Sequence, residues 1–563
     1  MENLQNDNPF SGKKSFLGGE GASFNGFIDF CRRNTPLVIT VTLAALFVYG
    51  VVLFNISVTG DNAMSFYDPD YMLFDTFRIG RWVIPILVKL LFIKESGVYA
   101  SNFISVLFIW LFSLLFCYFI AVFTKNTERR SGFIPPALIV LTYSVWPQYF
   151  SAFIHHKIHA LFICVILIEV YMLFDGFLSR NKIKVLMGFV LTFISFGVYQ
   201  PLVPLFLCIT FIYFILLCEN SNLPSKEYAP LCLKLFIAFA AALSLSVITA
   251  KIIQSLLETS STDYVSKHMI WKHISIKSIK SIIGGILGQG YIVTIGMLPF
   301  VHAFFSPIMT YMYGGDYGTF GPIPELVFNN ARTVGSLLLL PAAIVFLVMI
   351  CINAKKSVPK GGRLLYTLAG FGVPCSILFL AAVSGEIIGV RILYALPFAS
   401  AFMFYYVAGA QKTVLRRVLY CAILGTAFYQ AQISQNILET TVRASGQDAL
   451  IAFDIGGRIE DVLENGEKLP VAYTGKFEHP LKNQALLNSN DFGASNFLAW
   501  TPAYKTYLGA RVRPFMGIHG FDYDEPSPEQ VERAYEASLD MPAYPASGCV
   551  KNLGDVVVVK MGD

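Results

Sequence analysis

Residues 36–58 read PLVITVTLAALFVYGVVLFNISV, an apolar run without a charged side chain. A helix of roughly 20 such residues crosses the ~30 Å hydrocarbon core of a bilayer with its backbone hydrogen bonds closed inside the segment. The run therefore reads as a membrane span and sets the reading of everything after it. By the same rule about eleven spans are expected. They lie near 36–58, 101–124, 134–153, 159–178, 185–198, 202–218, 230–257, 336–353, 365–384, 392–410 and 418–435. The fifth and sixth are short and separated by Tyr199, Gln200 and Pro201, the pattern of a tight hairpin or broken helix. The expected fold is mainly α, a polytopic transmembrane helical bundle.

Composition agrees with this reading. Of 563 residues, 55% are hydrophobic and only 14% charged, with a mean hydropathy of +0.58. A soluble protein of several domains needs far more surface charge than that. The net charge of +5 comes from loop lysines and arginines rather than one basic face, which excludes nucleic acid as a partner, and the apolar content excludes a disordered chain. Every cysteine but Cys549 lies in or beside an apolar segment, so no disulfide framework is implied. Residues 1–30 are polar and Gly/Ser-rich, and the first apolar run is long enough to stay in the membrane, so no cleavable signal is expected.

The short-loop cations orient the bundle. Arg32 and Arg33 precede the first span; Lys125, Arg129 and Arg130 follow the second; Arg180, Lys182 and Lys184 follow the fourth. Lys355, Lys356, Lys360 and Arg363 follow the eighth, and Lys412, Arg416 and Arg417 the tenth. All fall on one side, which the positive-inside rule makes cytoplasmic. The division expected is a cytoplasmic segment 1–35, a membrane domain 36–435 whose first outer loop is 59–100, and an outer domain 436–563. Residues 82–93 are too short to span and carry Lys89, so they read as an interfacial helix. Residues 281–305, rich in glycine and ending near His302, read as an outer-leaflet or re-entrant segment. The basic stretch before it, Lys267, His268, Lys272, His273, Lys277 and Lys280, departs from the positive-inside pattern. In the tail, Leu450, Ile451, Ile455, Ile459 and Val462 recur at helical spacing, while 469–473 and 556–559 read as strands, giving a small α/β domain.

The chemistry concentrates in the first outer loop. Asp61, Asp68, Asp70 and Asp75 stand beside Arg78 and Arg81. Carboxylates next to arginines at a membrane surface suit a transfer in which a base takes a hydroxyl proton and cations hold a leaving phosphate. The plainer reading is of turn-forming acids and snorkelling arginines. His155, His156, Lys157 and His159 follow the third span at its outer end, where they suit phosphate or sugar contact, snorkelling structure or, by their i, i+4 spacing, a metal; no cysteine stands nearby, and no metal is expected. Tyr199 and Gln200 suit either a sugar site or an interfacial anchor. Glu386 and Arg391 bracket a short outer loop, as site residues or as an ion pair. Glu169 and Lys234 read as a pair within the bundle with no function assigned. Phe492, Phe497, Trp500, Tyr504 and Tyr507 of the tail suit carbohydrate stacking or a domain core.

The order of these features, a span, an acidic loop, an interfacial helix, many further spans and an outer domain, resembles the GT-C architecture of polyprenyl-linked sugar transferases. More narrowly, the loop is similar to the opening motif of the GtrII-like glucosyltransferases of O-antigen modification, which carry an Asp-Asp pair followed further along by Gly-Arg before an apolar helix. Here the elements are Asp61-Asn62 and Gly80-Arg81-Trp82, and the resemblance continues at Tyr199-Gln200, at residues 391–397 and in the helix-then-strand tail. Asn62 replaces the second acid, which turns attention to Asp68 and Asp70. The resemblance implies an inverting membrane glycosyltransferase of the bacterial inner (cytoplasmic) membrane. It would move a hexosyl group, glucosyl by the family, from undecaprenyl-phosphate sugar to an O-antigen or lipid-linked glycan on the periplasmic side. Asp61 would be the base, and Arg81 with Arg78 or His155–Lys157 would neutralise the departing phosphate. No sugar nucleotide or cofactor is required, and no Gly-x-x-x-x-Gly-Lys-Ser/Thr loop is present. The rival reading is a transporter or flippase of lipid-linked sugar, which the Tyr199–Pro201 break keeps open.

Overall fold

The computed structural model describes residues 22–58, 61–91, 97–125, 132–152, 156–221, 223–257, 276–294, 334–463, 467–475, 477, 497 and 509–562. The chain is mainly helical. A short amphipathic helix α1 (Phe24–Arg33) leads into α2 (Thr35–Phe54). The segment after α2 folds into three short helices, α3 (Asp61–Tyr67), α4 (Pro69–Arg78) and α5 (Val83–Leu90). Then come α6 (Val98–Thr124), α7 (Ile134–Thr142), α8 (Val145–Ala152), α9 (His156–Ser179), α10 (Lys182–Val198), α11 (Leu202–Asn220) and α12 (Tyr228–Leu256). They are followed by α13 (Ile276–Val293), α14 (Leu339–Lys356), α15 (Arg363–Ser384), α16 (Ala395–Gly409) and the 50-residue α17 (Thr413–Val462).

Among the described residues seven helices are long and apolar enough to cross a membrane: α2, α6, α9, α11, α12, α14 and α15, the α12 and α15 spans each beginning in a short leading turn. The other expected spans fall on different kinds of helix. The run expected at 134–153 is, over Ile134–Ala152, two helices broken at Tyr143 and Ser144, α10 and α16 are shorter, and 418–435 lies in the more polar α17. The helix break expected at Tyr199–Pro201 is present between α10 and α11. Val83, Ile84, Pro85 and Val88 of α5 are buried while Ile86, Lys89 and Leu90 are exposed. Lys267, His268, Lys272 and His273 of the basic stretch, and residues 295–333 with His302, lie outside the described residues, while Lys277 and Lys280 fall at the start of α13.

Large side chains fill the bundle; Tyr49, Phe112, Trp146, Tyr213 and Phe398 are wholly buried. Many helix faces meanwhile expose Leu, Ile, Val and Phe, as on α2, α12 and α14, which suits lipid rather than water. The expected Glu169–Lys234 pair does not form. Glu169 instead accepts a hydrogen bond of 2.8 Å from the Ser195 hydroxyl across α9 and α10, and Lys234 sits on the exposed face of α12. The reason is geometric, since α10 lies directly against α9 and supplies the nearer donor.

Helix α17 runs unbroken across the expected boundary at 435/436. Its last turns pack Ile451, Ile455 and Ile459 against a three-stranded sheet ordered β1 (Val471–Thr474), β3 (Val557–Lys560), β2 (Val550–Asn552). β1 pairs parallel to β3, with Val471 opposite Val557, and β2 pairs antiparallel to β3, with Val550 opposite Val559. Helices α18 (Gly509–Ile518) and α19 (Pro528–Leu539) complete this unit. Phe497 is in its core; Phe492, Trp500, Tyr504 and Tyr507 lie outside the described residues.

Candidate functional site

The loop geometry follows from local sequence. Asp68 caps α4, its carboxylate accepting the Tyr71 N–H at 3.0 Å, and Pro69 supplies the fixed φ favoured at a first helical position. Asp70 lies exposed in the first turn, and Asp75 pairs with Arg78 at 3.4 Å, both about a third exposed. Gly80, at φ +80°, ends the helix: its N–H bonds the Phe77 carbonyl and the Arg81 N–H reaches back to Thr76, the closing pair of a Schellman turn. A residue with a Cβ is strained at that φ, so the glycine is what lets the chain turn and direct Arg81 away from α4. Asp61 is the first residue of α3, and its side chain is outside the described set, as is all of His155.

Two glutamines distant in the chain, one on α12 and one in the break between α10 and α11, fasten this turn. Gln254 of α12 donates to the carbonyls of Arg78 (2.9 Å) and Phe77 (3.4 Å), and Gln200 donates to that of Ile79 (3.2 Å). Trp82, next in the chain, enters a slot opened by Gly197, where a Cβ would come within 2.4 Å of the indole, and donates to Ser246 at 3.3 Å. So held, the Arg81 guanidinium lies 4.4 Å from the centre of the Tyr199 ring. Tyr199 also stacks in parallel on His159 at 4.5 Å and meets Tyr394 at 5.7 Å, and Tyr394 in turn meets Trp146 at 5.8 Å. Gly80-Arg81, Tyr199-Gln200 and the 391–397 stretch are far apart in sequence, yet they converge on one column of rings.

Glu386 and Arg391, both half-buried, lie on the chain between α15 and α16 that carries Tyr394. Gln289 of α13 accepts the Ile388 N–H at 2.8 Å, and a Cβ at Gly285 would come within 3.0 Å of the Gly385–Glu386 backbone, so the glycine lets α13 lie against that connection. His156 and Lys157 are tied into α6 instead. The His156 ring bonds Ser105 (2.7 Å) and Asn102 (3.0 Å), and the Lys157 ammonium donates to Ser101 (3.1 Å). Both are buried. The polar stripe Ser101, Asn102 and Ser105 offered no periodic signal of this role, because it faces a helix fifty residues away in the chain.

The loop is covered by the C-terminal unit. The Tyr67 hydroxyl donates to Asp522 at 2.6 Å, Arg513 lies 5.6 Å over the Tyr67 ring, and Gly517 makes room for it. Burial and the Asp522 carboxylate hold the Tyr67 hydroxyl above its ordinary pKa, so it stays a donor. Ala63 of α3 is part of the C-terminal core, and Val58 exchanges backbone bonds with the Ser445 hydroxyl of α17. Asn62, standing where an acid pair would be completed, is buried, and its Oδ1 finds no partner among the described residues.

No curated protein and no solved structure matches the chain. The model of the family described as Glucosyl transferase GtrII matches residues 50–425, from the end of α2 into α17, and so takes in the whole ring column and both glutamine ties. The chain belongs to the GtrII glucosyl transferase family.

Proposed function

We propose that this membrane glycosyltransferase moves a hexosyl group, glucosyl as the family description has it, from a polyprenyl-phosphate sugar to a hydroxyl of an O-antigen or lipid-linked glycan, at the bundle end opposite the Lys/Arg clusters and hence on the periplasmic face. The observation that carries the reading is the placement of Arg81 over Tyr199, beside His159 and Tyr394, directly after an acid-bearing loop. Attraction to an aromatic face holds a guanidinium by about 0.5–2 kcal/mol. A charge-assisted hydrogen bond is worth about 1.5–3 kcal/mol, so an arriving phosphate competes well for Arg81 without dismantling the site. The rings offer flat apolar surface to a sugar.

In this reading Asp61 accepts the proton of the acceptor hydroxyl as its oxygen attacks the anomeric carbon. The bond from that carbon to the phosphate oxygen breaks, the electron pair leaves with the polyprenyl phosphate, and Arg81 takes up the developing charge. A single displacement of this kind inverts the anomeric centre. The direct test is purified protein with synthetic polyprenyl-phosphate glucose and an O-antigen acceptor. Formation of the branched glycan with inverted linkage supports the reading, and sugar movement across vesicles without product favours a flippase. A reporter fused to the C-terminus and active only in the cytoplasm would overturn the orientation; one fused after residue 440 would interrupt α17.

A further inference from the structure

At the end of the bundle that carries the Lys/Arg clusters, α6, α11, α14 and α16 finish around a cavity of about 360 Å³. Thr124, Glu219, Asn220, Asn353, Ser357 and Tyr406 are among its lining residues. Glu219 is its centre. One carboxylate oxygen, Oε1, receives the Tyr366 hydroxyl at 2.5 Å, the Tyr406 hydroxyl, and the Asn353 amide at 3.4 Å. Three donors on one oxygen fix the plane of the carboxylate and leave Oε2 outside these bonds. Among the described residues no cationic side chain pairs with Glu219. A carboxylate in this partly desolvated setting is most stabilised by a positive charge that also donates hydrogen bonds.

The rim has the opposite sign. Lys125 follows Thr124, Lys356 precedes Ser357 and Lys412 stands just past Ala410, and all three lysines are exposed. Beside the cavity, Val345, Val348 and Ile352 of α14 expose apolar surface to the surroundings. From floor to rim to flank the order is therefore anion, cations, apolar. This is the inverse of an ethanolamine phospholipid, whose primary ammonium, phosphate and acyl chains follow in the same order. We propose that this cavity binds the headgroup of an ethanolamine phospholipid, ammonium on Glu219 and phosphate among Lys125, Lys356 and Lys412, with a chain along α14. The α14 flank favours a lipid over a soluble amine phosphate. This inference is independent of the reaction proposed above, because it concerns the other end of the molecule.

The test measures binding of short-chain lipids to the full chain in detergent, by native mass spectrometry with thermal shift as a second readout. Phosphatidylethanolamine is expected to bind at least about tenfold more tightly than phosphatidylcholine, which has no N–H to donate, or phosphatidylglycerol, which has no ammonium. Free phosphoethanolamine should bind far more weakly than the lipid; equal binding would overturn the lipid assignment. Glu219→Gln keeps an acceptor for Tyr366 and Tyr406 while removing the charge, and should reduce phosphatidylethanolamine to the phosphatidylcholine level. Should that variant fail to fold, Lys356→Glu, at an exposed rim position, is expected to weaken phosphatidylethanolamine and phosphatidylglycerol together by about tenfold. Equal affinity for the ethanolamine and choline lipids in the unaltered protein, or unchanged affinity in Lys356→Glu, sinks the proposal.

Discussion

The two ends of the bundle are built from opposite kinds of chain. At the end bearing the first outer loop, helices stop or break inside apolar stretches: α4 at Gly80, α7 at Tyr143, α10 and α11 at Tyr199–Pro201, α15 and α16 around residues 385–394. At the other end, α6, α14 and α16 run into lysines or short turns, and polar groups there satisfy one another, as Lys184 does Asp175 and Tyr366 does Glu219. Irregular backbone within apolar segments is tolerated where it is buried in protein or lines a cavity, because hydrocarbon offers no hydrogen bonds. Breaking several helices at one level costs stability, and what it returns is a set of side chains no continuous helix could present together: Arg81, His159, Tyr199 and Tyr394. In the two proposals above, the broken end serves chemistry and the regular end recognition.

The strongest way to break that contrast is to remove the base proposed for it. Asp61→Asn keeps size and hydrogen bonding while deleting the basic oxygen, so a rate loss on the order of 10² or more is expected with normal expression. Asp68→Asn should stay near the unaltered rate, because Asn caps a helix as well as Asp and Asp68 is occupied in capping α4. The opposite pattern would move the base to Asp68. Full activity in Asp61→Asn, Asp68→Asn and Asp70→Asn alike would end the proposed mechanism.

Next in size is the phosphate contact. Arg81→Ala should lower kcat/KM for the lipid donor by at least about tenfold. Arg416→Ala, in the first turn of α17 at the regular end, should change it little. Equal effects at the two arginines would remove the distinction between the ends.

Much of this arrangement was legible in the sequence, and the illegible part has one cause. Seven of the eleven expected apolar runs, the break at Tyr199–Pro201, strands β1 and β3 and the acid-arginine loop are all local patterns, and each appears where the pattern lies. What escaped depends on partners distant in the chain. Gln254 reads as one polar residue near the end of a span, yet it folds back 176 residues to hold the Arg78 carbonyl. His156 and Lys157 read as outer-face cations, but the Ser101, Asn102 and Ser105 stripe of α6 draws them inward. Leu450 fits the helical spacing of Ile451, Ile455 and Ile459 and still ends 71% exposed, because the face that packs is set by the sheet beneath it.

Gln254 gives a sharper and smaller test. Its amide donates to the Phe77 and Arg78 carbonyls that fix the Gly80 turn, so Gln254→Leu should loosen the placement of Arg81 without removing it. Losing a hydrogen bond worth about 1 kcal/mol predicts roughly a fivefold fall in kcat with a smaller change in KM. Gln254→Glu, which cannot donate to a carbonyl when ionised, should resemble Gln254→Leu, whereas a merely space-filling role would spare the Glu variant. An unchanged kcat in both would mean that the turn is held by Gly80 and Gln200 alone.

The smallest effect belongs to the C-terminal unit, away from the ring column. Ser527 opens α19 with a capping box: its hydroxyl accepts the Gln530 N–H at 3.3 Å and the Gln530 side chain accepts the Ser527 N–H at 2.8 Å. Gln530 also donates to the Asp555 carbonyl at 2.8 Å, which ties the helix start to the turn before β3. Ser527→Ala removes one acceptor from that arrangement and should cost about 1 kcal/mol of stability, read as a lower midpoint for the C-terminal unit in denaturant. Transfer activity should be unchanged under native conditions, because the contacts that cover the loop, Tyr67 with Asp522 and Arg513, precede α19 in the chain and do not pass through it. A fall in activity larger than the fall in stability would show instead that the cover over the loop is set by α19, and that the C-terminal unit takes part in the chemistry of the broken end.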